Sequence, residues 1–174
     1  GGALFPGLSA FGGAPLSIFP FALIMFLFGP LPEEPGWRGV ALDGLQKRMS
    51  APLASLVLGL AWLAWHLPLF LMNGTYQAES VGLFTPNFVI FSVSLLAVSV
   101  LFTWIYNHTD RSILAAVVFH FVINFTGAVL EPSPAVRTWL TGLLVLCALL
   151  VTVFSIRQPA SNPVKTSRTL LGSA

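Results

Sequence analysis

The chain has 174 residues, 56% hydrophobic and only 8% charged, where soluble domains carry roughly 25% charged residues; a water-soluble globule is excluded. The net charge of +2 comes from eight basic residues spread over connections and a tail, with no basic stripe, so nucleic acid is excluded as a partner. The one cysteine, Cys147, lies inside an apolar run, which leaves no disulfide framework and no cysteine metal site.

In chain order, the glycine-rich start GGALFPGLSAFGGAP is too broken to count as a span. Five windows then have the roughly 20 apolar residues a membrane helix needs: about 14–32, 51–72, 87–106, 112–130 and 137–156. The expected fold is an all-α, polytopic transmembrane helix bundle of five predicted spans. Its first residue is Gly1 rather than Met, as in a processed product or a fragment, and truncation at the N-terminus with further spans upstream is expected. Residues 1–157 form the membrane domain and 158–174 a polar tail. The phenylalanines and tryptophans suit a surface that meets the lipid bilayer. Trp37, Trp62, Trp65, Trp104 and Trp139 mostly fall near span ends, as an aromatic belt would.

Basic residues orient the bundle. The 33–50 connection carries Arg38, Lys47 and Arg48, the 107–111 connection Arg111, and the tail Arg157, Lys165 and Arg168. The opposite connections hold only Arg137. The 33–50 connection and the C-terminus are therefore expected on the cytoplasmic side of a plasma membrane. Pro30, Pro32 and Pro35 should break or kink the first helix, and Pro68 should bend the second. His108, beside Asp110 and Arg111, reads as a solvated loop residue.

Several polar residues do not suit a passive bundle. In LPEEPGWRG at 31–39 the first charge of the chain, Glu33, follows more than thirty residues without one, and an ionised side chain at mid-membrane costs about 2.5 to 3.5 kcal/mol. His66 sits in LAWLAWHLPLF and His120 in ILAAVVFHFVINF. Asn124 follows His120 by one helical turn on the same face. Glu34 and Arg38 share the same spacing, while Glu33 points about 100° away from Glu34 on a helix. Each residue has a purely structural reading. Glu34–Arg38 can be an ion pair that locks the segment, each histidine a packing hydrogen bond, and Asn124 a bond to a neighbouring backbone. Together they come from three spans, and each would need its own compensation in a passive bundle. Amide hydrolysis, by contrast, needs a base for water and donors where the tetrahedral oxygen develops charge.

EEPGWRG at 33–39, WLAWHLP at 62–68 and HFVIN at 120–124 resemble the three motifs of the CPBP family of intramembrane proteases, the CAAX-protease and bacteriocin-processing (Abi, Rce1-like) group. The family pattern is EExxxR, FxxxH and HxxxN. The match covers about residues 20–130 in the expected order, with Trp62 standing where the family usually has phenylalanine. Family members commonly have about eight spans, in line with the expected truncation. The resemblance implies a CAAX-protease-like intramembrane endopeptidase acting on a peptide or membrane-protein substrate. It implies that Glu33 and His66 activate a water, that His120 and Asn124 form an oxyanion hole, and that Glu34 and Arg38 support the site as an ion pair.

Zinc is the rival for the same residues, with Glu33, His66 and His120 as ligands. No HExxH helix is present, and the metal-independent reading is preferred, with no cofactor. Two other functions compete. One is a non-catalytic membrane scaffold or bacteriocin-immunity protein of the same fold. The other is a proton relay or transporter, for which intramembrane Glu and His are equally natural but which should show two repeated halves, absent here.

Overall fold

A computed structural model describes residues 11–157, and these are helical with no strand among them. The first ten residues and the 158–174 tail, including Lys165 and Arg168, lie outside the described residues. Five helical stretches are long and apolar enough to cross a membrane: α1 (Pro15–Gln46), α2 (Ala51–Leu71), α3 (Pro86–His108), α4 (Ile113–Leu130) and α5 (Pro134–Ile156). The chain is a multi-pass membrane helix bundle.

Four of the spans coincide with the apolar windows of the sequence to within a few residues, but α1 does not end at residue 32. It runs on to Gln46 through the segment taken as the 33–50 connection. The reason lies in how the polar residues are accommodated. Ile18–Phe28 is regular α-helix, the geometry breaks at Gly29, and a new turn starts at Pro30. A proline at the first position of a turn loses no intrahelical bond, so Pro30 resets the helix rather than ending it. From Pro35 to Leu42 the helix widens to π geometry before closing again over Asp43–Gln46. Such insertions gather at functional sites. Arg38 is consequently inside the bundle, only 1% exposed, and drops out of the basic residues that argue for topology. Around Pro68, α2 is α-helical to His66 and tightens into a 3₁₀ turn over Leu67–Leu71. His108 closes α3 instead of lying in a loop; it is exposed and its Nδ1–H donates to the Trp104 carbonyl at 2.8 Å.

The ends of the spans are fixed locally. Thr85 accepts a hydrogen bond from the Phe88 amide ahead of α3, and Ser112 does the same for Ala115 ahead of α4, each satisfying a donor that the first turn leaves free. At the far end of α1, Gln46 and Asn107 exchange side-chain amide bonds of 3.3 and 2.9 Å. Nearby, Arg111 reaches Asp43 at 3.1 Å. These contacts tie the end of α1 to α3 and to the turn before α4.

Two apolar clusters surround the interior. One gathers Leu42, Ala54, Leu58 and Tyr106; the other gathers Trp62, Leu95, Val98, Phe102 and Ala116. Helix α3 is central, packing on α2 and on α5. The α2–α3 contact is close because the residues there are small, as in membrane helix pairs generally. Ser99 donates to the Ser55 carbonyl across the interface at 2.8 Å. A Cβ at Gly59 would lie 2.9 Å from Leu96 Cδ2 and 3.1 Å from Ser99 Cβ. Trp62 belongs to this core at 6% exposure, not to an interfacial belt. The belt description suits Trp139, 82% exposed at the start of α5.

Gly59→Val is therefore expected to force α2 and α3 apart, at about 1–3 kcal/mol, as overpacking typically costs. The thermal midpoint of the detergent-solubilised protein should fall; an unchanged midpoint would show that the close approach at Gly59 is not constraining.

Candidate active site

Glu33, His66, His120 and Asn124 line one cavity of about 420 Å³. They reach it from α1, α2 and α4. The cavity wall also includes Trp62, the aromatic residue of the second motif, and Tyr76, Gln77 and Ser94, which carried no distinguishing pattern in the sequence. Tyr76 and Gln77 come from the connection between α2 and α3, and only the fold brings them over the site.

The two adjacent glutamates meet different surroundings. Glu34 is fully buried, while Glu33 is half-buried and faces the cavity. Glu34 Oε1 accepts from Arg38 Nη1 at 2.9 Å and lies 2.7 Å from His120 Nδ1. The sequence spacing anticipated the partner one turn away. It contained no sign of the second, 86 positions on. Arg38 also lies with its guanidinium carbon 3.8 Å above the Phe102 ring and 5.1 Å from that of Trp62. Arg38 Nε and Nη2 find no hydrogen-bond partner, and the negative faces of those rings supply part of what water would.

Both cavity histidines are anchored through Nδ1. His66 Nδ1 lies 2.7 Å from the Trp62 carbonyl oxygen. That oxygen can only accept, so the proton is on Nδ1 and Nε2 of a neutral ring is a lone pair. His120 Nδ1 faces a carboxylate, which likewise places its proton on Nδ1. Nε2 of His120 then accepts when the ring is neutral and donates when the ring is an imidazolium balanced by Glu34. Trp62 holds the two imidazoles edge-on, with ring centres 5.6 Å from His66 and 5.2 Å from His120. Asn124 is exposed to the cavity side, and its amide has no side-chain partner among the described residues.

The zinc alternative can be tested on the same residues. Among the described residues no three His, Cys, Asp or Glu side chains gather as a metal site requires. The donor set as arranged does not fit a metal ion, and no step is routed through one.

A model of the Rce1-like type II CAAX prenyl endopeptidase family matches residues 15–126, a stretch that contains all of these residues. The chain belongs to that family. A curated relative, a CAAX prenyl protease 2 of Methanococcus maripaludis, is 34% identical over 132 residues, covering 76% of this chain and 49% of its own length. The chain thus spans about half the length of that relative.

Because Glu34 is buried between its partners, removing Arg38 strands a charge, at about 3–5 kcal/mol. Arg38→Ala should sharply lower folded yield and thermal midpoint in detergent. The double variant Glu34→Gln with Arg38→Met should recover much of that loss, since it removes both charges while keeping volume. Equal losses in single and double variants would show that the pair's charges are not what stabilises this region.

Proposed function

We propose that the chain is the site-bearing part of an intramembrane endopeptidase of the plasma membrane, hydrolysing a peptide bond through a water activated by Glu33 and His66. On this reading residues 1–157 are the protease domain, residues 158–174 a polar tail, and the Lys47–Arg48 end of α1 lies on the cytoplasmic side. The observation that carries the reading is the single cavity lined by Glu33, His66, His120 and Asn124 in a chain of an endopeptidase family. The relative's name speaks of a CAAX prenyl protease, and a CAAX-like peptide is the corresponding substrate class for this chain.

The roles follow from donors and acceptors. Water has two protons, and the Glu33 carboxylate and His66 Nε2 are two acceptors able to hold it. Glu33 takes one proton as the water oxygen attacks the carbonyl carbon, a general-base step. The carbonyl oxygen becomes an anion and needs donors aimed at it. The Asn124 amide is one. Nε2–H of a protonated His120 is the other, its charge offset by Glu34. The proton held by Glu33 then passes to the leaving amine as the tetrahedral intermediate collapses. Glu34 and Arg38 stay outside the reaction and hold His120 in place.

Glu33→Gln should abolish cleavage of a peptide substrate while the protein still folds, because size and polarity are kept and only the base is lost. Asn124→Ala should lower the rate about 100- to 1000-fold, as loss of one oxyanion donor does, with little effect on KM. Cleavage by the purified protein should survive strong chelation. Loss on chelation with recovery on added zinc would instead make Glu33, His66 and His120 ligands, and undiminished cleavage by Glu33→Gln would remove that residue from the chemistry.

A further inference from the structure

Among the described residues Arg137 is the one basic residue of the 73–86 and 131–137 connections, and the chemistry above does not use it. It lies at the start of α5, half-buried. Its Nε donates to the Pro132 carbonyl at 2.7 Å, and its guanidinium carbon stands 5.1 Å from the centre of the Tyr76 ring. These two contacts hold the guanidinium plane. They leave both terminal nitrogens free of any ion pair with a described acidic residue.

Arg137 lines a small cavity of about 160 Å³ between α3 and α5, whose wall also includes Tyr76, Asn87, Phe91, Ser94 and Thr141. Ser94 and Thr141 already donate to backbone carbonyls, those of Phe91 and Arg137. Neither the Asn87 amide nor the Tyr76 hydroxyl forms a hydrogen bond with a described residue, so both can serve a ligand. Tyr76, Phe91 and Ser94 also line the reaction cavity. One layer of side chains therefore separates Arg137 from the space into which Glu33 faces, and an extended peptide rising about 3.3–3.6 Å per residue crosses such a layer in a few residues.

We infer that Arg137, with Asn87 and Tyr76, forms a carboxylate-binding subsite for the molecule that occupies the reaction cavity. The inference rests on the peptidase reading for what that molecule is. A guanidinium pre-fixed in its plane offers the two-pronged geometry that a carboxylate matches, and the amide of Asn87 adds a neutral donor. The carboxylate can come from the peptide's C-terminus or from an acidic side chain near the scissile bond. Either way, Arg137 selects substrates by charge at a point removed from the cut.

The test is a binding measurement, which does not depend on turnover. A fluorescently labelled peptide is titrated onto the Glu33→Gln protein in nanodiscs of a neutral phospholipid, in three forms: free C-terminal acid, C-terminal amide, and amide with one internal glutamate. The acid, or the glutamate form, should bind about 10- to 100-fold tighter than the plain amide, the scale of charge-assisted hydrogen bonds. Which of the two is favoured identifies the source. Adding Arg137→Gln should erase that preference and leave affinity for the plain amide unchanged. Asn87→Asp, which keeps Arg137 but places a carboxylate in the pocket, should do the same. Equal binding of all three peptides, no binding of any, or equal losses on acid and amide would overturn the subsite. So would an effect of Arg137→Gln that emerges only in nanodiscs with anionic lipid, which would make the ligand a headgroup phosphate. If the preference holds but the wild-type protein never cleaves the peptides, the subsite stands and the peptidase reading falls.

Discussion

The buried carboxylate of Glu34 is the constraint around which the site is arranged. Taking an ion out of water costs several kcal/mol even after relaxation, so Glu34 can be where it is only if partners come with it. Arg38 arrives on the same helix, one turn on, and His120 arrives from α4. The guanidinium in turn needs surroundings that tolerate its unbonded edge, and Phe102 of α3 provides an aromatic face at 3.8 Å. One charge thus draws three helices to a single point. The orientation of His120, and with it the shape of the reaction cavity, depends on that arrangement.

The same constraint accounts for the odd course of α1. Neighbouring residues on a helix point about 100° apart, which allows Glu34 to enter the protein while Glu33 turns to the cavity. The prolines do not destroy the helix because Pro30 and Pro35 begin new stretches, where the missing amide hydrogen is least costly. The π-helical widening beyond Pro35 carries Arg38 and Leu42 inward. A continuous helix with shifted register lets a charged motif stay within the span instead of leaving it for a loop.

Much of this was legible in the sequence, and the parts that were not share a cause. Apolar runs of about 20 residues mark spans whatever their neighbours do, so α2 to α5 could be placed. The i, i+4 spacing of Glu34 and Arg38 is a local signal and read correctly as a pair. The end of α1 was misplaced because charges were taken as leaving the membrane, when they were neutralised inside the bundle. Trp62 was read by its distance from a span end, yet what decides its place is its packing on Phe102 and the two histidines. His120 meeting Glu34, and Tyr76 covering the cavity, depend on helix packing across many positions. No local pattern encodes either.

Two histidines anchored through the same ring nitrogen end up in unlike electrostatic settings. His66 gives its Nδ1 proton to a backbone carbonyl, a dipole without net charge. His120 gives its own to a carboxylate. A second proton on His66 would bring a positive charge with no counter-ion bonded to the ring, whereas on His120 it would sit against Glu34. A neutral ring leaves a lone pair at Nε2 and a charged ring an N–H. On the proposed mechanism, the division between a histidine that holds water and one that faces a developing anion arises from the single difference in what each Nδ1 touches. Arg38 limits how fully Glu34 can serve His120, because the same oxygen Oε1 accepts from both. Arg38 and His120 are thus competitors for one carboxylate oxygen as well as partners in holding it. A change at Arg38 that leaves the fold intact should alter the chemistry of His120 as well as the stability of α1.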